Sequence, residues 1–140
     1  MNNVQPFHLA IPVIDLQKMR DFYTALFQCE VGRTDTKWVD LNFYGHQLVL
    51  HEVDSLEKRD SANKVDGKTV RVPHFGVVLA WSDWQDISER LKHLKIQFIV
   101  EPYIRFEGKV GEQATMFLED IEGNALEFKA FRNPDQLFAK

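Results

Sequence analysis

The sequence lacks several features that would mark whole classes of protein. Its 140 residues include a single cysteine, Cys29, which excludes an internal disulfide and a cluster of thiolate metal ligands. The 17 basic and 21 acidic side chains form no run of one sign, which argues against a nucleic-acid surface. The apolar runs are too short to span a membrane, and the first residues resemble no signal peptide. We therefore expect a cytoplasmic protein with neither nucleic-acid nor membrane partners.

What the sequence contains is one order of elements, strand, helix and three strands, that occurs twice. Asp15 is expected to cap the first helix, and Ser82 with Gln85 forms a capping box for the second. The strands are predicted over residues 7 to 13, 30 to 34, 38 to 44, 47 to 53, 73 to 79, 98 to 106, 113 to 119 and 125 to 131. This repetition predicts an α+β fold of two βαβββ modules within one domain, residues 1 to 140. The modules cover about residues 5 to 53 and 72 to 132, and the polar stretch 54 to 71 is predicted to be an exposed linker.

Strand alternation predicts which side chains share a face, because neighbouring residues point to opposite sides of a sheet. The bulky apolar residues are expected to pack under the helices: Phe7, Leu9, Ile11, Val39, Leu41, Phe43, Leu48, Leu50, Phe75, Val77, Leu79, Met116, Leu118, Leu126 and Phe128. The opposite face then carries imidazole, carboxylate, amide and aromatic groups, which is typical of a cavity wall. Its members include His8, Trp38, Asn42, Val49, His51, His74, Gln113, Phe117, Glu127 and Lys129.

The chain resembles the glyoxalase, bleomycin-resistance and extradiol dioxygenase superfamily, also called vicinal oxygen chelate proteins. The resemblance rests on the paired modules, on Phe22-Tyr23 in the first helix, and on residues 119 to 127, EDIEGNALE. That segment is similar to the family signature Asp-Pro-x-Gly-Asn-x-x-Glu, with Ile121 in place of the proline. The resemblance implies a U-shaped, eight-stranded half-barrel with helices on its outer face, and symmetric homodimers whose sites lie within one chain or across two.

The resemblance also implies metal ligands on the first and last strands of the modules, where His8, His74 and Glu127 stand. Two imidazoles and one carboxylate suit Fe(II) with open positions for substrate, so one Fe(II) ion is expected, with Mn, Zn or Ni as alternatives. Glyoxalase-type isomerases carry a fourth ligand on the fourth strand, and alignment of the turn glycines puts Val49 at that position. Valine cannot bind a metal, so the resemblance favours the extradiol dioxygenase branch.

Other polar residues have open roles. His51 stands two residues beyond Val49 and is predicted to act as an acid-base group, with a fourth ligand or a plain pocket residue as alternatives. Arg105 is either a clamp for a substrate carboxylate or a solvated charge. Phe117 stands where catechol-cleaving relatives carry a hydrogen-bonding tyrosine, which weakens the expectation of catechol cleavage. The pocket is predicted to include Trp38, Asn42, Val49, Arg105, Gln113, Phe117 and Lys129.

Three functions follow as hypotheses. The first is a non-haem Fe(II) dioxygenase-like oxidoreductase that acts on a small vicinal diol or similar chelating substrate. The second is a metal-dependent isomerase or lyase of the glyoxalase kind. The third is a non-catalytic protein that binds a small molecule, as resistance proteins do. The metal, if found, separates the third hypothesis from the other two.

Overall fold

A computed structural model describes residues 4–58 and 61–140. The chain divides into two compact units, with the boundary after Lys58. This boundary falls inside the stretch predicted as the linker between the modules. In the part of the chain that the structure describes, no helix is long and apolar enough to cross a membrane.

The first unit is one βαβββ module. Its elements are β1 (His8–Val13), α1 (Leu16–Phe27), β2 (Glu30–Thr34), β3 (Trp38–Phe43) and β4 (His46–Glu52). The strands form a sheet in the order β1-β4-β3-β2, in which β1 is parallel to β4 and the remaining pairs are antiparallel. The parallel pair requires a crossover, and α1 begins that connection from β1.

Local chemistry explains the position of α1. The Asp15 carboxylate accepts a hydrogen bond of 3.0 Å from the Lys18 amide, so the predicted N-cap is confirmed. Met19, Tyr23 and Phe27 recur at helical spacing and are buried against the sheet. The helix ends at Phe27, and the next residue, Gln28, caps it in a left-handed conformation with φ of 55°.

The second unit repeats the module and adds a hairpin before it. Its elements are β5 (Ala62–Val65), β6 (Lys68–Arg71), β7 (His74–Leu79), α2 (Trp81–His93), β8 (Phe98–Arg105), β9 (Gln113–Glu119), β10 (Ala125–Phe131) and a short 3-10 helix (Pro134–Gln136). The larger sheet has the order β7-β10-β9-β8, again with its one parallel pair between the first and last strands. The predicted α+β fold with two βαβββ modules is confirmed.

The start of α2 differs from the prediction. The helix begins at Trp81, two residues before the start expected from a cap at Ser82, and Ala80 occupies the cap position without a side-chain hydrogen bond. The capping box of Ser82 and Gln85 is therefore wrong. Tertiary packing determines the start instead, because the Trp84 indole is buried and donates a hydrogen bond of 2.9 Å to the Phe128 carbonyl oxygen.

The stretch predicted as an exposed linker contains the hairpin β5–β6. Its turn is Asp66-Gly67, with positive φ of 51° and 74°, the conformation required by a two-residue hairpin turn. Val70 on β6 is buried in a cluster with Val100 and Phe117. The hairpin thus covers part of the sheet, and β9 is buried on both faces.

Alternation assigned most strand residues to the correct face, including Val39, Leu41 and Leu48, each at most 2% exposed. Phe7 is the exception. It was expected to pack under a helix, yet it precedes β1 and is 66% exposed. The strand begins only at His8, so the alternation of the sheet does not extend to Phe7.

Candidate metal centre

The hydrogen-bond register shows that the two modules place equivalent residues at equivalent positions. In the first unit His8 pairs with Gln47 and Ala10 pairs with Val49; in the second, His74 pairs with Ala125 and Gly76 pairs with Glu127. The first residue of the parallel pair is therefore a histidine in both modules. Two residues further along the last strand, the first module has Val49 where the second has Glu127.

His74 and Glu127 lie together on one face of the second sheet. The His74 Nδ1 atom is 2.6 Å from the Arg71 carbonyl oxygen, and Nε2 is 3.2 Å from Glu127 Oε2. A carbonyl oxygen only accepts, so Nδ1 carries a proton, and in the neutral imidazole Nε2 then presents a lone pair. That lone pair faces a carboxylate oxygen. The contact is favourable only with a positive charge between the two atoms, either a second proton or a metal ion.

The other carboxylate oxygen of Glu127 is held by its own partners. Thr115, which is buried, donates a hydrogen bond of 2.9 Å to Oε1, and the Lys129 ammonium lies 3.4 Å from the same atom. Oε1 is thus oriented by the protein while Oε2 is directed towards His74. Hydrogen bonds of this kind commonly orient metal ligands from behind.

The distance between His74 Nε2 and Glu127 Oε2 fits a shared ion. Bonds of about 2.1 Å from one metal ion place two ligand atoms about 3.0 Å apart at an octahedral angle and about 3.4 Å apart at a tetrahedral angle. The observed 3.2 Å lies between these values. The two side chains need no rearrangement to bind one ion.

In the first unit, His8 is oriented by a chain of two polar residues. The Gln47 Nε2 atom donates to Asp40 Oδ2 at 3.2 Å, and the Gln47 Oε1 atom lies 2.7 Å from His8 Nδ1. A carboxylate only accepts, so the amide NH₂ must face Asp40 and the amide oxygen must face His8. His8 Nδ1 therefore carries a proton, and in the neutral imidazole Nε2 presents a lone pair, as in His74.

Gly76 allows β7 and β10 to approach closely beside Glu127. A Cβ atom at Gly76 would lie 1.5 Å from the Glu127 carbonyl oxygen and 2.6 Å from its carbonyl carbon. Real Cβ contacts are essentially never shorter than 3.0 Å. Only glycine fits this position. Gly76 lies where β7, the strand of His74, pairs with β10, the strand of Glu127.

The second unit has a cavity of about 160 Å³ at this site. Its lining consists of Val65, Lys68, Val70, His74, Val100, Tyr103, Arg105, Thr115, Phe117, Glu127 and Lys129. The Phe117 ring packs edge-on against the His74 ring, with centroids 5.0 Å apart. Phe117 is also the cross-strand neighbour of Glu127, so this part of the wall is apolar. The hydroxyl groups of the lining belong to Thr115 and Tyr103, which donate hydrogen bonds to Glu127 and Asp66.

Arg105 lines this cavity and is paired with an acidic residue of the hairpin. Its Nε donates to Asp66 Oδ2 at 2.6 Å, and the Tyr103 hydroxyl donates to the same oxygen at 2.9 Å. These hydrogen bonds, from Tyr103 and then from Arg105, lower the pKa of Asp66. Burial, followed by the hydrogen bond to Asp66, raises the pKa of Tyr103. The guanidinium is thus paired with a carboxylate of the chain itself, and its predicted role as a clamp for a substrate carboxylate stays a prediction.

The other predicted pocket residues have different surroundings. The Asn42 side chain accepts a hydrogen bond of 2.8 Å from the Gly45 amide and supports the β3–β4 turn. Gln113 is buried, and its amide donates to the Gly111 carbonyl oxygen at 3.3 Å, outside the lining of the second-unit cavity. Trp38 lines a separate, open cavity of about 570 Å³ in the first unit, beside the start of α1.

His51 and Val49 both belong to β4 of the first unit. Val49 is buried, whereas His51 is exposed and pairs with Trp38 on β3. In the register of the two modules His51 corresponds to Lys129, two residues beyond the position of Glu127. Two residues span roughly 7 Å along a strand, so His51 does not occupy the position of a fourth ligand in its module.

Within each unit taken alone, no three His, Cys, Asp or Glu side chains of the described residues gather to hold a metal ion. The second unit brings together two of the three predicted ligands, His74 and Glu127. The third, His8, belongs to the first unit.

Sequence reasoning omitted several residues that contribute to these surroundings. Lys68 and Asp66 were missed because their segment was interpreted as a linker, although Asp66-Gly67 between two short alternating runs is a hairpin signal. Gln47 and Thr115 were given no role in the sequence analysis. Their contacts with His8 and Glu127 depend on strand register, which composition alone does not reveal.

Comparison with known proteins identifies the family. The profile of the glyoxalase/bleomycin resistance protein/dioxygenase superfamily matches residues 5–128. The chain belongs to this superfamily. A superfamily protein from Alicyclobacillus acidocaldarius, known from its crystal structure, shares 31% sequence identity; the match covers 99% of this chain and 100% of that one, with a TM-score of 0.80.

Two structures of a single protein with lower sequence identity show the same fold. The fosfomycin resistance protein FosX from Listeria monocytogenes has 20% identity and a TM-score of 0.69, over 98% of this chain and 99% of that one. A mutant of FosX was crystallised with Mn(II) and 1S,2S-dihydroxypropylphosphonic acid; it has 18% identity and a TM-score of 0.68, over 100% and 99% of the chains. No curated protein matches the sequence significantly.

Proposed function

We propose that this protein is a metal-dependent enzyme in which His8, His74 and Glu127 hold one divalent ion. The observation that carries the proposal is the contact between His74 Nε2 and Glu127 Oε2. The two atoms lie 3.2 Å apart, the other polar atom of each side chain is already engaged, and in the neutral imidazole both atoms would present lone pairs to an ion. His8 adds a third ligand atom of the same tautomer, oriented by Gln47. The Mn(II) bound by the FosX mutant is a precedent within the fold.

An ion held by His8, His74 and Glu127 would supply Lewis-acid chemistry to an oxygen atom of a bound substrate. The residues of the chain do the remaining work. Thr115 and Lys129 orient Glu127, while Phe117 and Val70 exclude water from the cavity wall. Two imidazoles and one carboxylate are the set that suits Fe(II), so we propose Fe(II) as the native ion, with Mn, Zn or Ni as alternatives.

An Fe(II) dioxygenase that cleaves a small vicinal diol is a second candidate for the reaction. Val49 favours it, because a valine at the position equivalent to Glu127 removes a fourth protein ligand and leaves coordination positions open. Phe117 opposes it, because a phenyl ring packs against His74 where a hydrogen-bonding side chain would serve a diol, and the Thr115 and Tyr103 hydroxyls of the lining already donate to Glu127 and Asp66. The balance supports a reaction that does not consume O₂, in which the substrate chelates the ion through its own oxygens.

Metal uptake tests the proposal directly. Titration calorimetry with Mn(II) and Fe(II), the latter under anaerobic conditions, is expected to show one ion per chain. An ion at 100 times its dissociation constant stabilises the folded state by about 2.7 kcal/mol, which thermal unfolding detects. His74→Ala and Glu127→Gln are expected to abolish both effects. His93→Ala is the matched control, because His93 is exposed on the last turn of α2. Equal binding by all four proteins contradicts the proposed ligands.

Oxygen consumption separates the two reactions. A dioxygenase consumes O₂ in step with catechol or a similar diol, whereas the proposed enzyme turns over its substrate anaerobically. His51, predicted to assist proton transfer, is tested in the same assay. A His51→Gln variant is expected to lower kcat and to alter its pH profile while metal binding persists, and an unchanged profile removes His51 from the mechanism.

A further inference from the structure

The hairpin β5–β6 forms part of the cavity wall of the second unit. Val65, Lys68 and Val70 line the cavity, and Val70 is 5% exposed in its contact with Val100 and Phe117. Side chains of the hairpin alternate, so Lys64 and Thr69 lie on the opposite face and are exposed. The inner face of the hairpin is therefore built to meet whatever enters the cavity.

The turn of the hairpin is anchored to β8. The Asp66 carboxylate accepts hydrogen bonds from Tyr103 and from Arg105, at 2.9 and 2.6 Å between the oxygen and each donor atom. Both bonds are charge-assisted, and they link Asp66 to residues 37 and 39 positions away in the sequence. This ion pair compensates the charge of Arg105 and holds the hairpin at the cavity.

The positively charged side chains that line the cavity differ in whether they form an ion pair with a carboxylate. Arg105 is paired with Asp66, and Lys129 lies 3.4 Å from Glu127. The Lys68 ammonium lies 4.2 Å from the centre of the Tyr103 ring, and no ion pair in the described part of the chain includes it. Asp66 is close enough to interact with the charge of Lys68, but its carboxylate is already bonded to Arg105. The three cations Lys68, Arg105 and Lys129 thus face two carboxylates, Asp66 and Glu127, which leaves one positive charge in excess at the cavity.

We propose that the substrate carries a small anionic group, such as a carboxylate, phosphonate or phosphate, and that Lys68 is the residue that recognises it. The inference rests on the proposed function, since it assigns the substrate class of that same site. A divalent ion on Glu127 also weakens the hold of that carboxylate on Lys129, which makes the cavity still more attractive to an anion. The volume of about 160 Å³ is below the roughly 300–1,000 Å³ of pockets for drug-sized ligands, so the anion is a small one.

Titration of methylphosphonate into the protein, with and without Mn(II), tests the assignment. Lys68→Met keeps the length of the side chain and removes its charge, and Lys68→Gln is a second variant in case the first does not fold. Lys64→Met is the matched control, because it removes the same charge from the outer face of the same hairpin. Acetamide, which is neutral, is the control ligand.

The wild type and the Lys64→Met variant are expected to bind methylphosphonate with similar affinity, and the Lys68 variants at least about tenfold more weakly. Acetamide is expected not to bind. Equal binding by the Lys68 and Lys64 variants overturns the assignment, as does the absence of anion binding by a protein that takes up one Mn(II). If Mn(II) does not bind but the anion does, and only with Lys68 present, the proposed metal function fails while the recognition by Lys68 stands.

Discussion

Substitution of Gly76 by alanine tests whether the contact of β7 with β10 determines the metal site. The new Cβ atom would lie 1.5 Å from the Glu127 carbonyl oxygen, against a practical minimum of 3.0 Å. The gap must therefore widen by at least about 1.5 Å (3.0 minus 1.5), and the obstructing atoms are backbone atoms that cannot rotate away. β7 is the edge strand of its sheet, so it is the strand that moves, and it carries His74.

The cost follows from the interactions that such a shift breaks. Overpacking of this kind costs roughly 1–3 kcal/mol, which corresponds to a fall in Tm of roughly 3–10 °C for a chain of this size. The distance of 3.2 Å between His74 Nε2 and Glu127 Oε2 changes by a similar displacement, so the pair no longer meets one ion. Metal affinity is expected to fall by roughly 10–100-fold or more, the range seen when ligand orientation is lost.

Calorimetric titration with Mn(II) and thermal unfolding of the metal-free protein measure the two effects separately. Gly32→Ala is the control, because a Cβ atom at Gly32 meets nothing closer than 3.4 Å, an ordinary contact. A Gly76→Ala protein with the Tm and the Mn(II) affinity of the wild type would refute the reasoning. A loss of stability without any loss of affinity would show that the close approach supports the fold and leaves the ligands in place.

Three further outcomes are expected. Thr115→Val removes the hydroxyl that donates to Glu127, and calorimetric titration should show Mn(II) affinity about tenfold lower, whereas unchanged affinity excludes Thr115 from orienting the ligand. The pKa of Asp66 is lowered in the folded protein, so the stability that the Asp66 carboxylate contributes is present above its unfolded-state pKa and is lost as pH falls through the lower folded-state pKa. Backbone amides of the hairpin should therefore lose protection from hydrogen exchange in that acidic range. Asp66→Asn should abolish this pH dependence. Burial raises the pKa of Cys29 to about 12, so the folded protein should not react with a thiol reagent at pH 8 and the unfolded protein should, while rapid labelling of the folded protein contradicts the burial.

The sequence by itself determined the modules and the face on which each predicted ligand lies. Hydrophobic alternation with a period of two is a local property, so it placed His8, His74 and Glu127 correctly on the polar face before any strand pairing was known. The turn glycines likewise aligned Val49 with Glu127, and the register of the two parallel pairs agrees with that alignment.

The tertiary structure decided the start of α2 and the charge partners of the cavity residues, because both depend on long-range contacts. The first residue of α2 follows the burial of Trp84 against β10, which overrode the local capping signal of Ser82. The roles of Arg105 and Lys68 follow from a hairpin whose turn binds residues 37 and 39 positions away. The periodicity of a strand predicts the face on which a side chain lies, but its charge partner depends on which segments the fold brings together. For that reason the sequence predicted the face of His8, His74 and Glu127, whereas the charge partners of Arg105 and Lys129 could be read only from the structure.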